Sequence, residues 1–180
     1  CLAAAHEPAL VGRAYWAQAY AHDQLGHAAA RERLAARALQ VAREAGDLEG
    51  IGAAANLLYR EHADMGLRLQ GLQQAIDAYL AAGLGERART SLANLAMTCT
   101  SLGLYARAQR IVAQTAAIDQ RDPATRQRRL YYATMDSVIE GLRGHTAAAR
   151  RAACRAAVVG RHVQEPWFRV VLRLLLGHAA

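Results

Sequence analysis

Apolar side chains recur along this chain at steps of three and four. Leu69, Leu72, Ile76 and Tyr79 fall on one side of a helix wound at 3.6 residues per turn, as do Leu92, Leu95, Cys99 and Leu102, and again Tyr131, Met135, Val138 and Leu142. Punctuation separates such stretches. A glycine closes one and opens the next at Gly26, Gly66, Gly103, Gly144 and Gly177, in steps of 40, 37, 41 and 33 residues. Between these lie a second set of breaks: Gly46-Asp47, Gly83 to Gly85, Arg121-Asp122-Pro123 and Glu165-Pro166. Glycine takes the left-handed conformation that ends a helix, Asp47 can cap the next one, and Pro8, Pro123 and Pro166 all fall at the start of a segment, where a missing N–H costs nothing. The pattern predicts helices over about 8–25, 28–45, 48–65, 67–82, 86–102, 104–119, 124–142, 146–160 and 166–176.

Each predicted helix is too narrowly apolar to bury its stripe alone or in a single pair. Stacked pairs can, which is the logic of a solenoid. The expected fold is therefore an all-α solenoid of helix-turn-helix repeats at about 8–46, 47–83, 85–120 and 122–163, with an incomplete fifth at 165–180. Composition strengthens this. Alanine fills 43 of the 180 positions, and β-branched and aromatic residues are scarce, so an all-β fold is excluded. Small residues let helices approach closely; Ala29, Ala36, Ala55, Ala96, Ala108, Ala149 and Ala156 are read as contact points.

In this setting the residues around Gly103 resemble the tetratricopeptide repeat. Leu92, Leu95, Ala96, Gly103, Tyr105 and Ala108 match its large residue, leucine, small residue, inter-helix glycine, aromatic and packing alanine. The Gly26 segment offers Tyr15, Ala19 and Ala28. The Gly66 segment keeps Leu58 and Gly66 but has Gly71 where alanine is usual, and the Gly144 segment keeps Ala149 but has Asp136 and Ser137 in place of leucine and a small residue. The repeat steps, longer than 34 residues, resemble those in sensor regions of bacterial signalling proteins such as LuxR-type ATP-dependent regulators and nucleotide cyclases. The resemblance implies a right-handed solenoid whose first helices line a concave, partner-binding face. The positions that fall there are Arg13, Trp16, Tyr20, Asn56, Arg60, Met97 and Tyr131, with Asp23, Asp64 and Thr134 nearby. Trp16 and Tyr20 make one helical turn of aromatic surface. Asn56 and Arg60, also one turn apart, have the directed donors to hold a carboxylate or phosphate. An Arg60–Asp64 pair on the same face is the plainer alternative.

Charge adds a second surface. All 22 basic side chains are arginine, and the net charge is +7. Arginines and acids cancel over residues 1–120, so the whole excess lies in the last third. Arg126, Arg128, Arg129, Arg150 and Arg151 form the core of this basic patch. It offers attraction to nucleic acid or to an acidic partner, but poor aromatic interleaving and the lack of a nucleic-acid motif weigh against DNA.

No signature of a catalytic site is present: no phosphate loop, no dinucleotide-binding glycine pattern, no HExxH, no CxxC and no GxSxG. His22, His62 and Cys99 precede their repeat glycines by four residues, but helix spacing of about 8–10 Å makes packing the better reading than metal ligation. No cofactor, no metal and no enzyme activity are expected. Three widely spaced cysteines, Cys1, Cys99 and Cys154, read as reduced thiols of a cytoplasmic protein. A chain that begins at Cys1 and stops in an apolar run is expected to be part of a longer one. Exposed, the apolar helix at 166–176 is expected to self-associate. The function expected is a non-catalytic protein-protein interaction scaffold that binds a protein or peptide segment, in the sensor or regulatory region of a larger bacterial signalling protein. A small-molecule or nucleotide effector sensor, and nucleic-acid contact through the basic last third, are the alternatives.

Overall fold

The structure, a computed structural model, describes residues 7–119 and 126–160. These residues form eight α-helices and no strand: α1 (Pro8–Gln24), α2 (Ala28–Glu44), α3 (Leu48–Tyr59), α4 (Met65–Ala81), α5 (Gly85–Ser101), α6 (Tyr105–Asp119), α7 (Arg126–Leu142) and α8 (Thr146–Gly160). The chain divides between Thr98 and Cys99 into two compact units. In the first, α1 packs on α2, α2 on α3 and α3 on α4, and α1 also touches α3. In the second, α6 packs on α7 and α7 on α8. The expected helix at 166–176, the self-association assigned to it, Pro123, Pro166, Gly177 and the fifth repeat lie outside the described residues.

The turns follow from the sequence. Gly26, Gly103 and Gly144 have φ of 74°, 72° and 78°, in the left-handed region that a side chain resists. The residue after each glycine donates its amide five residues back: His27 to the His22 carbonyl at 2.9 Å, Leu104 to Cys99 at 2.8 Å and His145 to Glu140 at 2.9 Å. This wrapped-back bond satisfies carbonyls that the helix end leaves free. At the opposite ends, the Asp47 carboxylate accepts from the Gly50 amide at 3.0 Å and the Asp64 carboxylate from the Leu67 amide at 3.0 Å.

Gly66 is the exception. It does not make a turn; it lies in the first turn of α4, and α3 stops at Tyr59 instead of continuing to 65. The connection at residues 60–64 is held by side chains. Asp64 caps α4, the Asp64 amide donates to His62 Nδ1 at 3.1 Å, and Arg68 Nε donates to the His62 carbonyl at 2.8 Å. Gly71, out of place against the alanine of the resemblance, also has a local cause. A Cβ there would lie 2.0 Å from the Tyr59 ring. Across the same hairpin, a Cβ at Gly52 would lie 2.9 Å from the Tyr79 ring. Each of α3 and α4 thus seats an aromatic ring of the other on a bare backbone.

The core is built from alanine and leucine. Ala38, Leu39, Ala54, Ala55 and Ala75 form one cluster in the first unit; Ala19, Ala35 and Leu57 form another; Leu130, Ala133 and Ala156 form one in the second unit. Of the alanines read as contact points, Ala55, Ala96, Ala108 and Ala156 are buried and Ala149 is partly so. Ala29 and Ala36 are exposed. The face of α2 that packs carries Ala35, Ala38, Leu39 and Ala42, so the buried stripe sits one position away from the expected register. Leu102 and Leu142 likewise close their stripes in the open, at the helix ends.

Candidate functional site

Helices α1, α3 and α5 carry five of the seven expected concave-face residues, and Arg60 directly follows α3. On α1, Trp16 and Tyr20 stack with ring centroids 5.6 Å apart and planes inclined by 19°. Trp16 packs against both apolar clusters of this unit, while Tyr20 is 45% exposed. The tryptophan is therefore part core and part surface. It anchors a tyrosine whose ring faces solvent.

Polar cross-links join α1 to α3 and α3 to α5. Arg13 of α1 lies 3.5 Å from the carboxylates of both Asp47 and Glu49. Glu49 also takes Arg87 at the start of α5. Further along, Asn94 Nδ2 of α5 donates to Asn56 Oδ1 of α3 at 3.0 Å. At the C-terminal end, Arg60 Nη2 reaches Asp23 Oδ2 at 2.5 Å. Met97, one turn after Asn94, is 58% exposed.

The Arg60 link belongs to a larger charge network. Arg31, on α2, is 4% exposed and lies within an otherwise apolar stripe. Its guanidinium bonds Glu61 and lies 3.5 Å from Asp23 Oδ1. Asp23 is also nearly buried, with 8% of its side chain exposed. Burial alone would push its carboxyl upward; the hydrogen bonds and charges of Arg60 and Arg31 outweigh this and hold it below the usual carboxylate range. Two arginines thus meet the carboxylates of Asp23 and Glu61 at the junction of three helices, and Arg31 also reaches Glu32 at 3.4 Å. The Nε atoms of Arg31 and Arg60 are buried without a hydrogen-bond partner, though Arg60 Nε lies 4.0 Å from the Glu61 carboxylate.

These facts give the expected residues local partners. Arg60 is engaged by Asp23, and the Asn56 carboxamide oxygen receives the Asn94 amide. The alternative pairing of Arg60 with Asp64 is also absent from this junction, because the Asp64 carboxylate caps α4. Its acidity is strengthened first by the Leu67 amide. These residues comprise an aromatic pair, an amide pair and an exposed thioether, and the arginine charges among them are locally matched.

Asn94 and Arg31 were missed by the register argument, and both had a signal. Asn94 follows Asn56 by 38 residues, as Arg87 follows Glu49. Arg31 precedes Ala35, Ala38 and Ala42 at helical spacing, an arginine aligned with a buried stripe.

The remaining expected site residues belong to the second unit. Tyr131 is mostly buried, its hydroxyl has no partner, and burial pushes its pKa up to about 12. It meets Tyr132 edge to face at 5.6 Å. In the basic patch, Arg128 is half-buried and Arg129 exposed on α7, while Arg150 and Arg151 are exposed on α8. The side chain of Arg126 lies outside the described residues. Among the described residues, no group of three or more histidine, cysteine or acidic side chains is placed to hold a metal ion, and no helix is long and apolar enough to cross a membrane. His22 and His27 approach each other instead, Nδ1 to Nδ1 at 3.2 Å. No protein-family model, curated protein or solved structure matches this chain.

Proposed function

We propose that this chain is a non-catalytic recognition scaffold of tetratricopeptide-like, right-handed solenoid type, and that α1, α3 and α5 of its first unit bind an extended segment of a partner protein. The observation that carries this reading is the Trp16–Tyr20 stack, whose tyrosine is exposed, in the unit that also holds the Asn56–Asn94 pair. A rigid aromatic surface that loses little side-chain entropy is where binding energy concentrates. Paired side-chain amides complement a peptide backbone, whose donors and acceptors must be met once water is displaced. Because Arg13 and Arg60 are matched by Asp47, Glu49 and Asp23, the bound segment is uncharged where it crosses them and carries apolar or aromatic residues for Tyr20 and Met97. In this reading, which follows the resemblance to helical sensor regions, such a scaffold serves in a larger cytoplasmic, bacterial signalling protein.

The test is selection followed by calorimetry. A displayed library of short unstructured peptides is panned against the chain, and the enriched peptides are synthesised and titrated. Tyr20→Ala and Met97→Ala, both at exposed positions, each weaken binding by about tenfold with unchanged helicity. Enriched peptides that bind both variants like the parent chain, or no enrichment at all, contradict the proposal. Trp16→Ala and Arg60→Ala are poor probes, since both side chains also support the fold.

A further inference from the structure

The turn between α1 and α2 brings two imidazoles together. His22 lies in the last turn of α1, and His27 directly precedes α2. Gly26, with φ of 74°, reverses the chain between them, and the His27 amide donates to the His22 carbonyl at 2.9 Å. The same wrapped-back bond joins Leu84 to Tyr79, Leu104 to Cys99 and His145 to Glu140. In turns of this kind the side chains at the two bonded positions meet, commonly as an apolar contact. The Tyr79–Leu84 and Cys99–Leu104 turns carry apolar residues there. The His22–His27 turn carries two nitrogen donors instead.

The Nδ1 atoms of His22 and His27 lie 3.2 Å apart, and the ring centroids 5.4 Å apart. The nitrogens are therefore the inner edges of the pair. A hydrogen bond between them needs a proton on one Nδ1 and a bare lone pair on the other, so the two rings must hold opposite tautomers. A divalent ion needs both lone pairs. Two imidazole nitrogens on a tetrahedral Zn²⁺, each bonded at about 2.0–2.1 Å, sit about 3.3–3.4 Å apart. The observed spacing is close to that, so chelation asks for turning of the rings and no movement of the backbone.

Charge, access and rigidity favour the ion. Asp23 adjoins His22, and its network sets the carboxylates of Asp23, Glu32 and Glu61 against the guanidiniums of Arg31 and Arg60, so the surroundings do not repel a cation. His27 is exposed and His22 half-buried, which leaves room for an ion with its water. The Leu25 amide bonds the Ala21 carbonyl at 3.2 Å and the Gly26 amide the Asp23 carbonyl at 3.0 Å, so the backbone holds both ligands in place before an ion arrives.

We propose that His22 and His27 form a two-imidazole site for a borderline divalent cation of the Zn²⁺ class, bound through both Nδ1 atoms with water in the remaining positions. This site differs from a ladder of His22, His62 and Cys99, because both ligands come from one turn and no stacking of helices has to align them. His62 Nδ1 already accepts the Asp64 amide at 3.1 Å. A bound ion ties the end of α1 to the start of α2 and stabilises the folded chain by mass action. The site does not depend on the role of the α1, α3 and α5 residues.

Zinc chloride alone is the probe, with the full 180-residue chain. Long-range proton–nitrogen NMR spectra of the histidine-labelled chain follow each imidazole nitrogen. Zinc is expected to shift the Nδ1 signals of His22 and His27, assigned through the variants, to the metal-bound position. In titration calorimetry, His22→Gln and His27→Gln each weaken one zinc-binding event by about tenfold or more, since losing either ligand opens the chelate. His145→Gln leaves that event unchanged; its ring meets a Glu140 carboxylate that Gln109 and Arg143 also hold. Zinc raises the unfolding temperature of the parent and not of the two variants. Circular dichroism verifies that helicity is retained. The proposal is overturned if zinc leaves both Nδ1 signals in place, if the shifts fall on Nε2 atoms alone, or if either variant binds zinc like the parent. A proton that stays on one Nδ1 in the presence of zinc overturns it in favour of a simple hydrogen bond.

Discussion

Arg31 occupies a position on α2 where the helical stripe otherwise holds alanine and leucine. Its burial is tolerable because Asp23 and Glu61 meet its charge, and Asp23 in turn holds Arg60. Removing one member of such a set leaves another charge buried without its partner, which costs more than the set contributes as a whole. Asp23→Asn is therefore expected to destabilise the chain by about 2–3 kcal/mol at neutral pH. The pH dependence follows from the sign of the shift. Asp23 is held below its ordinary pKa, so its contribution is present above the unfolded value near 3.8 and is lost as pH falls through the lower folded value. Urea unfolding of parent and Asp23→Asn chains checks this. The gap between them is expected to stay level from neutral pH to about pH 5 and then to shrink toward pH 2. A gap that persists unchanged to pH 2 contradicts the network.

Helix boundaries follow glycine only where the backbone demands it. Gly144 has φ of 78° and ends α7, whereas Gly66 sits in the first turn of α4, with no positive φ, and Gly71 lies beneath the Tyr59 ring. A series of alanine substitutions separates these roles by thermal unfolding. Gly144→Ala is expected to cost about 1 kcal/mol through backbone strain. Gly71→Ala forces the Tyr59 ring from its seat and is expected to cost about 1–3 kcal/mol. Gly66→Ala is expected to fall within about 0.5 kcal/mol of the parent, because helix propensity offsets a mild approach to the Asp64 carboxylate at 3.2 Å. If Gly66→Ala is the most damaging of the three, the placement of α4 is wrong. Periodicity and punctuation made most of the elements legible: α1, α2, α5, α6 and α8 begin and end within a residue or two of expectation. The end of α3 was not legible. It depends on His62, Asp64 and Arg68 bonding one another across the connection, an arrangement that apolar spacing does not encode.

For the molecule as a whole, the uneven charge of the sequence acquires a physical basis. Over the first unit, arginines are met by acids on neighbouring helices: Arg13 and Arg87 by Glu49, Arg31 and Arg60 by Asp23 and Glu61. In the second unit the arginines outnumber the acids. The helices that carry Trp16, Tyr20, Asn56 and Met97 were legible from apolar spacing and glycine breaks. Its electrostatics were not, because pairs such as Asp23 with Arg60 form between residues 37 apart and depend on how α1 and α3 meet. The central claim is that the aromatic and amide surface of α1, α3 and α5 is the working face for an extended segment. Amide hydrogen exchange, read by mass spectrometry with and without a library-selected peptide, tests it most directly. The account predicts slowed exchange in peptides spanning Trp16 to Asp23, Asn56 to Glu61 and Asn94 to Met97, with α8 unchanged. Protection confined to α8, or absent from all three of those stretches, contradicts it.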